Sequence, residues 1–216
     1  GDGIAGAGRA SGRASRRGDG EILAARYSTR EMVTIESGMA AAAERLAEAR
    51  NHGVDQRRVD LAIEHQDAAI RAGVAAGLSA KMESGEIDAA ERDRQVAGAR
   101  LSDEQRRAVE YVTGPERIAV VVGFAGAGKS TMLAAAREAW EAQGYQVHGA
   151  ALAGRAAEGL EESSGIASRT LASWDRSWHN ERHQLGRGDV LVVDEAGMVG
   201  SRQLARFVGE AEVRGA

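Results

Sequence analysis

The chain has 216 residues, 43% of them hydrophobic and 28% charged, and carries a formal net charge of −4. Lacking cysteine, it can hold neither a disulfide framework nor a thiolate metal site, and no run approaches the ~18 apolar residues of a membrane span or the apolar core of a secretion signal, so a cytoplasmic protein is expected. The acidic balance excludes a global attraction to nucleic acid and leaves only local arginine clusters to act over about a Debye length.

Residues 1–27 open with seven glycines in the first twenty positions and almost no large apolar side chain. They read as a linker or the tail of an upstream domain, with residues 21–27 composed like a short strand. Ser28-Thr-Arg-Glu31 has capping-box spacing, and Met32, Ile35, Met39 and Leu46 follow a helical stripe. This predicts a helix over residues 29–50, interrupted at Asn51-His-Gly53. Further helices are expected over residues 55–75 and 84–97. The whole stretch 28–100 reads as a helical segment with a packing role, since no catalytic chemistry shows on it.

From Leu101 the pattern changes to β–α alternation. A helix over residues 101–112 is broken by Thr113-Gly-Pro115, which holds the chain's only proline. Strands are expected at 117–122, 145–151 and 189–193, with helices at 129–142 and 155–163. Consecutive β–α–β units imply right-handed crossovers and a parallel sheet, with phosphate bound at the strands' carboxyl ends.

Between the first strand and its helix lies Gly123-Phe124-Ala125-Gly126-Ala127-Gly128-Lys129-Ser130-Thr131. That is G-x-x-x-x-G-K-[ST] in the strand–turn–helix setting it requires. Glycines let the backbone wrap phosphate oxygens, and the amides at the helix start present partial positive charge to an anion. Lys129 would reach the β- and γ-phosphates, and the Ser130 hydroxyl would ligate Mg²⁺. Of the 28 Lys and Arg residues only Lys81 and Lys129 are lysines. One of these two sits where a compact ammonium suits the phosphates better than a planar guanidinium. The strand Asp189-Val-Leu-Val-Val193 ends in Asp194-Glu195. A carboxylate there can hold the Mg²⁺ shell, and the following Glu can activate the attacking water. A water-activating Glu favours an NTP hydrolase over a small-molecule kinase.

Ser102-x-x-Gln105 fits a capping box, and a Gln just upstream of such a loop can equally read adenine through its amide; the spacing permits either role. His179-Asn-Glu-Arg-His183 offers two imidazoles at i, i+4 but lacks the H-E-x-x-H order and a third ligand, so a solvated surface helix is expected. Trp174 and Trp178 fit a core anchor better than a base-stacking platform. Residues 149–160 join a strand to a helix at the carboxyl edge of the sheet. Ser168, Arg169 and Thr170 offer hydroxyls and a cation for phosphate contact.

Residues 101–216 resemble the first motor domain of a superfamily 1 DNA helicase of the RecD/TraI-like group. Leu-Ser-Asp-Glu-Gln105 resembles its Q motif, Gly123–Thr131 motif I, Ala-Leu-Ala-Gly-Arg-Ala-Ala157 motif Ia, and Val-Val-Asp-Glu-Ala-Gly-Met198 motif II. The wording of motifs I and II is similar to the helicase half of conjugative relaxases of the TraA/MobA type, as is Arg26-Tyr-Ser-Thr-Arg-Glu-Met32. Gly197 stands where many relatives carry Ser. The resemblance implies an α/β fold with an incomplete RecA-like P-loop NTPase parallel sheet, residues 101–216, behind the helical segment. It implies an ATP- and Mg²⁺-dependent DNA helicase or translocase acting on single-stranded DNA, with the conjugation machinery as a partner. On that reading the chain is a piece of a longer protein, ending after motif II and before the second motor domain with its arginine finger. Gln105 would read adenine, Lys129 and Glu195 would carry catalysis, and Ser130 with Asp194 would hold the metal. Another P-loop enzyme, such as a nucleotide kinase, and a helical docking module with a degenerate ATPase are the alternatives.

Overall fold

The computed structural model describes residues 29–123 and 128–216. The tail 1–27, its strand-like stretch and Ser28 lie outside the described residues. Eight α-helices and three strands follow in the described chain: α1 Arg30–Glu48, α2 Gln56–Glu83, α3 Ala89–Gly98, α4 Asp103–Val112, α5 Lys129–Gln143, β1 Gln146–Ala151, α6 Gly154–Ser164, β2 Ser168–Thr170, α7 Leu171–His179, β3 Asp189–Val193 and α8 Ser201–Arg214.

Helix starts follow side-chain chemistry. Thr29, Asp55, Asp88, Ser102 and Thr170 each accept a backbone N–H of the following first turn, an N-cap worth about 1 kcal/mol apiece. The expected α1 stripe is there, with Leu46 buried and Met32, Ile35 and Met39 half-buried. α2 runs eight residues beyond the expected end at 75. Its alanine-rich second half favours helix, and Gly73 and Gly77 stand in open space where only propensity is lost. Its buried residues, Val59, Ala62, Ile63 and Asp67, all lie in the first half.

The three strands form one parallel sheet in the order β2-β1-β3, with Val147 opposite Val190 and Ala150 opposite both Val193 and Arg169. Strand alternation sorts the core into two layers. On one face Val147, Val190 and Val192 meet α5 (Met132, Ala135, Ala136, Ala139, Trp140), backed by α2 and α4 (Val59, Ala62, Ile63, Val109). On the other, Ala150, Leu191 and Val193 meet Trp174 and Trp178 of α7 and Phe207 of α8. Helices on both faces of a parallel sheet are the α/β arrangement the β–α alternation implied. The helical segment packs into the same body: α2 lies against α5, and α1 against α8, where Arg202 pairs with Glu31 and Arg45 with Glu212.

One expected strand does not form. Residues 118–123 carry no ladder, and β3, at the sheet edge, pairs only with β1 among the described residues. The run keeps a strand's two-residue alternation, with Val121 packed on the α5 core while Val120 and Val122 are 68% and 90% exposed. Its entry is tied elsewhere: Glu116 bridges Arg50, and the Arg117 N–H donates to Leu46 O (3.1 Å). The Arg117 guanidinium donates to the carbonyls of Ala211 and Ala216. Alternation is a property of the sequence, but a strand requires a neighbour's free edge within ~4.8 Å. The parallel sheet is accordingly incomplete.

Candidate nucleotide site

α4 begins with the capping box that the sequence allowed. Ser102 Oγ accepts the Gln105 N–H (3.1 Å), and Gln105 Oε1 accepts the Ser102 N–H (2.9 Å). The same side chain reaches across 23 residues, its Nε2 donating to the carbonyl of Gly128 (3.1 Å). Gln105 therefore has both a capping role and direct contact with the residue that starts α5. Of the two roles the spacing left open, the cap is formed. In this arrangement both ends of the amide are engaged by protein.

Gly128 sits in the left-handed region (φ +71°, ψ 28°) as N-cap of α5, with no side chain capping the helix. A Cβ there would lie 2.1 Å from Gln105 Nε2. Glycine is thus required twice, by backbone conformation and by the close approach of the glutamine. Lys129, Ser130 and Thr131 form the half-buried first turn of α5, and the Lys129 ammonium donates to Gly123 O across the mouth of the loop (2.8 Å). First-turn N–H groups have no partner inside a helix. An anion at this helix start would meet first-turn N–H groups and the Lys129 ammonium together. Phe124, Ala125, Gly126 and Ala127, the rest of the predicted loop, lie outside the described residues.

The acidic pair stands at the matching edge. The tight turn at Gly144 makes α5 antiparallel to β1, so the start of α5 lies toward the carboxyl ends of β1 and β3. There the Asp194 N–H donates to Ala150 O (2.9 Å), and its Oδ1 accepts the Glu195 N–H (2.9 Å). Asp194 is half-buried and Glu195 exposed. Glu195 adopts φ +51°, an uncommon conformation for a residue with a Cβ, and leads into a single 3-10 turn, Ala196–Met198. Neither acid bonds to α5 among the described residues; the sheet, rather than contact, relates the two halves of the site. One hydroxyl and one carboxylate suit Mg²⁺, which keeps most of its shell as water and phosphate.

Other sequence candidates take structural roles. Trp174 and Trp178 are buried, their indoles donating to Gly149 O (3.0 Å) and His183 O (3.1 Å). Arg169 stacks 3.6 Å above the Trp174 ring, donates to Ser177 Oγ, and is pulled below the usual guanidinium pKa by burial. Thr170 caps α7, and Ser168 Oγ donates to Ile166 O. α7 ends at His179, and Glu181 and His183 have positive φ, so the two imidazoles do not share a helical face. Away from Asp194, at the opposite ends of β1 and β3, an open cavity of about 410 Å³ is lined by Gln146, His148, Arg169 and Asp189, with His148 Nε2 3.0 Å from Asp189 Oδ1.

Sequence reasoning passed over Asp67. Its carboxylate is buried on α2, where Oδ1 accepts the Leu101 N–H (2.8 Å) and Oδ2 pairs with Arg106. A signal existed: Val59, Ile63, Asp67 and Ile70 recur at helical spacing, and one of the four is an acid.

The model of the AAA domain family matches residues 100–216. The probable conjugal transfer protein TraA of Sinorhizobium fredii (strain NBRC 101917 / NGR234) is 45% identical over 192 residues, 89% of this chain and 14% of its own length. The conjugal transfer proteins TraA of Rhizobium radiobacter and Agrobacterium fabrum are each 45% identical, over 91% and 90% of this chain and 15% of their own. The chain thus spans about 15% of the length of the curated relatives it matches. No solved structure matches it.

Proposed function

The chain belongs to the AAA domain family, in its RecD/TraI-like helicase group, and on that premise we propose that it is the nucleotide-binding part of an ATP-driven DNA motor in conjugative transfer. The observation that carries the reading is the start of α5 behind a left-handed Gly128, with Lys129 in its first turn, at the same sheet edge as Asp194-Glu195. The relatives' names and the 45% identity support the conjugative setting. The residues divide by role. Gly123 to Thr131 would wrap the phosphates, with Lys129 leaving Gly123 O to meet the β- and γ-oxygens, and Gln105 would contact adenine. Ser130 and Asp194 would hold Mg²⁺, which when bound offsets charge on the transferred phosphoryl group. Glu195 would take the proton of the attacking water. Residues 28–100 would serve as a helical layer behind residues 101–216, with 1–27 leading into it. Single-stranded DNA and the conjugation machinery would be partners of the whole protein, acting in the cytoplasm; among the described residues no helix is long and apolar enough to cross a membrane.

Two measurements test this. Calorimetry should show Mg·ATP binding by the chain and its loss in Lys129→Ala; equal affinity in both would sink the nucleotide site. Steady-state ATPase of the whole protein should rise with added single-stranded oligonucleotide and fall with salt. Robust turnover on a small phosphoryl acceptor, with no response to single strands, would turn the assignment toward a kinase.

A further inference from the structure

We propose that Asp67, a buried acid on α2, is a positioning residue for the nucleotide site, acting through a hydrogen-bonded relay that ends on the carbonyl of Gly128; the proposal rests on the reading of Gln105 and the α5 start as that site. The relay has three links. Asp67 Oδ1 accepts the N–H of Leu101 (2.8 Å), while Arg106, paired to Asp67 Oδ2, donates its Nε to Leu101 O (3.4 Å). Both polar groups of a fully buried residue are thus held by one ion pair. The next residue, Ser102, exchanges two hydrogen bonds with Gln105 and so sets the direction of its side chain. Gln105 Nε2 then donates to Gly128 O (3.1 Å), which also accepts the Met132 N–H (3.1 Å) of the first turn of α5.

Stability calls for an acceptor here, because the buried Leu101 N–H would otherwise lack a partner, but not for a charge. The flanking stripe positions are Val59, Ile63 and Ile70, and exchanging a buried ion pair for well-packed apolar side chains is often neutral or stabilising. What the carboxylate supplies is direction. It fixes the Leu101–Ser102 peptide, and Gln105 takes its orientation from there. α2 also packs its Val59, Ala62 and Ile63 against the core of α5, so one helix both supports the phosphate-side helix and orients the glutamine.

The test compares Asp67→Leu, which fills the stripe but removes the acceptor, with Asp67→Asn, which keeps an oxygen for Leu101. Mg·ATP affinity, urea midpoints and native-state amide exchange are measured on the whole chain. Asp67→Leu should weaken Mg·ATP about tenfold, on the order of one lost hydrogen bond, and speed exchange of the Met132 amide without nucleotide. Asp67→Asn should keep both near wild type. In a Gln105→Ala background, Asp67→Leu should cause no further loss of affinity. If Asp67→Leu does not fold, Arg106→Met, which strips Leu101 O of its donor, should show the same faster Met132 exchange. Unchanged Met132 exchange, or affinity losses that simply add, would overturn the relay while leaving the nucleotide site standing. No Mg·ATP binding by the unsubstituted chain would overturn the site and the proposal with it.

Discussion

Gly128→Ala isolates what the glycine contributes at the start of α5. Alanine would have to hold φ +71°, which costs roughly 1–2 kcal/mol for a residue with a Cβ. The new methyl would lie 2.1 Å from Gln105 Nε2, so the amide must retreat. It cannot retreat freely, since it bonds Gly128 O at one end and the Ser102 N–H at the other. Losing both adds about 0.5–1.5 kcal/mol each. The expected total is therefore about 2–5 kcal/mol, a large share of the ~5–15 kcal/mol that stabilises a domain. Urea unfolding followed by the fluorescence of Trp140, Trp174 and Trp178 reads it directly. Gln105→Ala removes the obstruction, so in that background Gly128→Ala should cost only the backbone share, about 1–2 kcal/mol. The same cost in both backgrounds would refute the clash between the two residues.

Glu195→Gln should retain Mg·ATP but lose turnover, because an amide takes no proton from water; a variant that still hydrolyses ATP at the wild-type rate removes Glu195 from the chemistry. Gln105→Ala should weaken ATP by about 1–3 kcal/mol and leave GTP nearly unaffected if the amide reads adenine; equal losses in competition binding would leave it a cap and a Gly128 clamp. Two histidines give opposite pH trends. Hydrogen bonding and charge from Glu138 raise His65 above its ordinary 6.5, so its contribution is complete below that value and is lost as pH rises through the raised pKa. Burial, then the charge of Arg117, lowers His52, so protonating it costs stability as pH falls below 6.5. In urea midpoints across this range, His65→Gln should steepen the acid loss and His52→Phe, which keeps a ring against Tyr145, should flatten it; a flatter profile in His65→Gln would contradict the assignment.

Local chemistry decided most of what the sequence made legible. Caps, apolar stripes and the Thr113-Gly-Pro115 break fix where α1, α3, α4 and α5 begin or end, because each depends on residues within a turn of one another. The alternation of strand and helix likewise foretold a parallel sheet. Long-range partnership was hidden. Residues 118–122 have the pattern of a strand yet no ladder, since pairing is decided by whichever edge folding brings alongside. Spacing left Gln105 open between a cap and adenine contact; the fold forms the cap and, by setting Gly128 beside it, adds a clamp that the spacing did not foretell. Nothing in the sequence marked out Asp67 beyond its place in the apolar stripe of α2. Its role exists only because α2, folded against α5, delivers a carboxylate to a buried N–H 34 residues away, and no local pattern encodes that meeting.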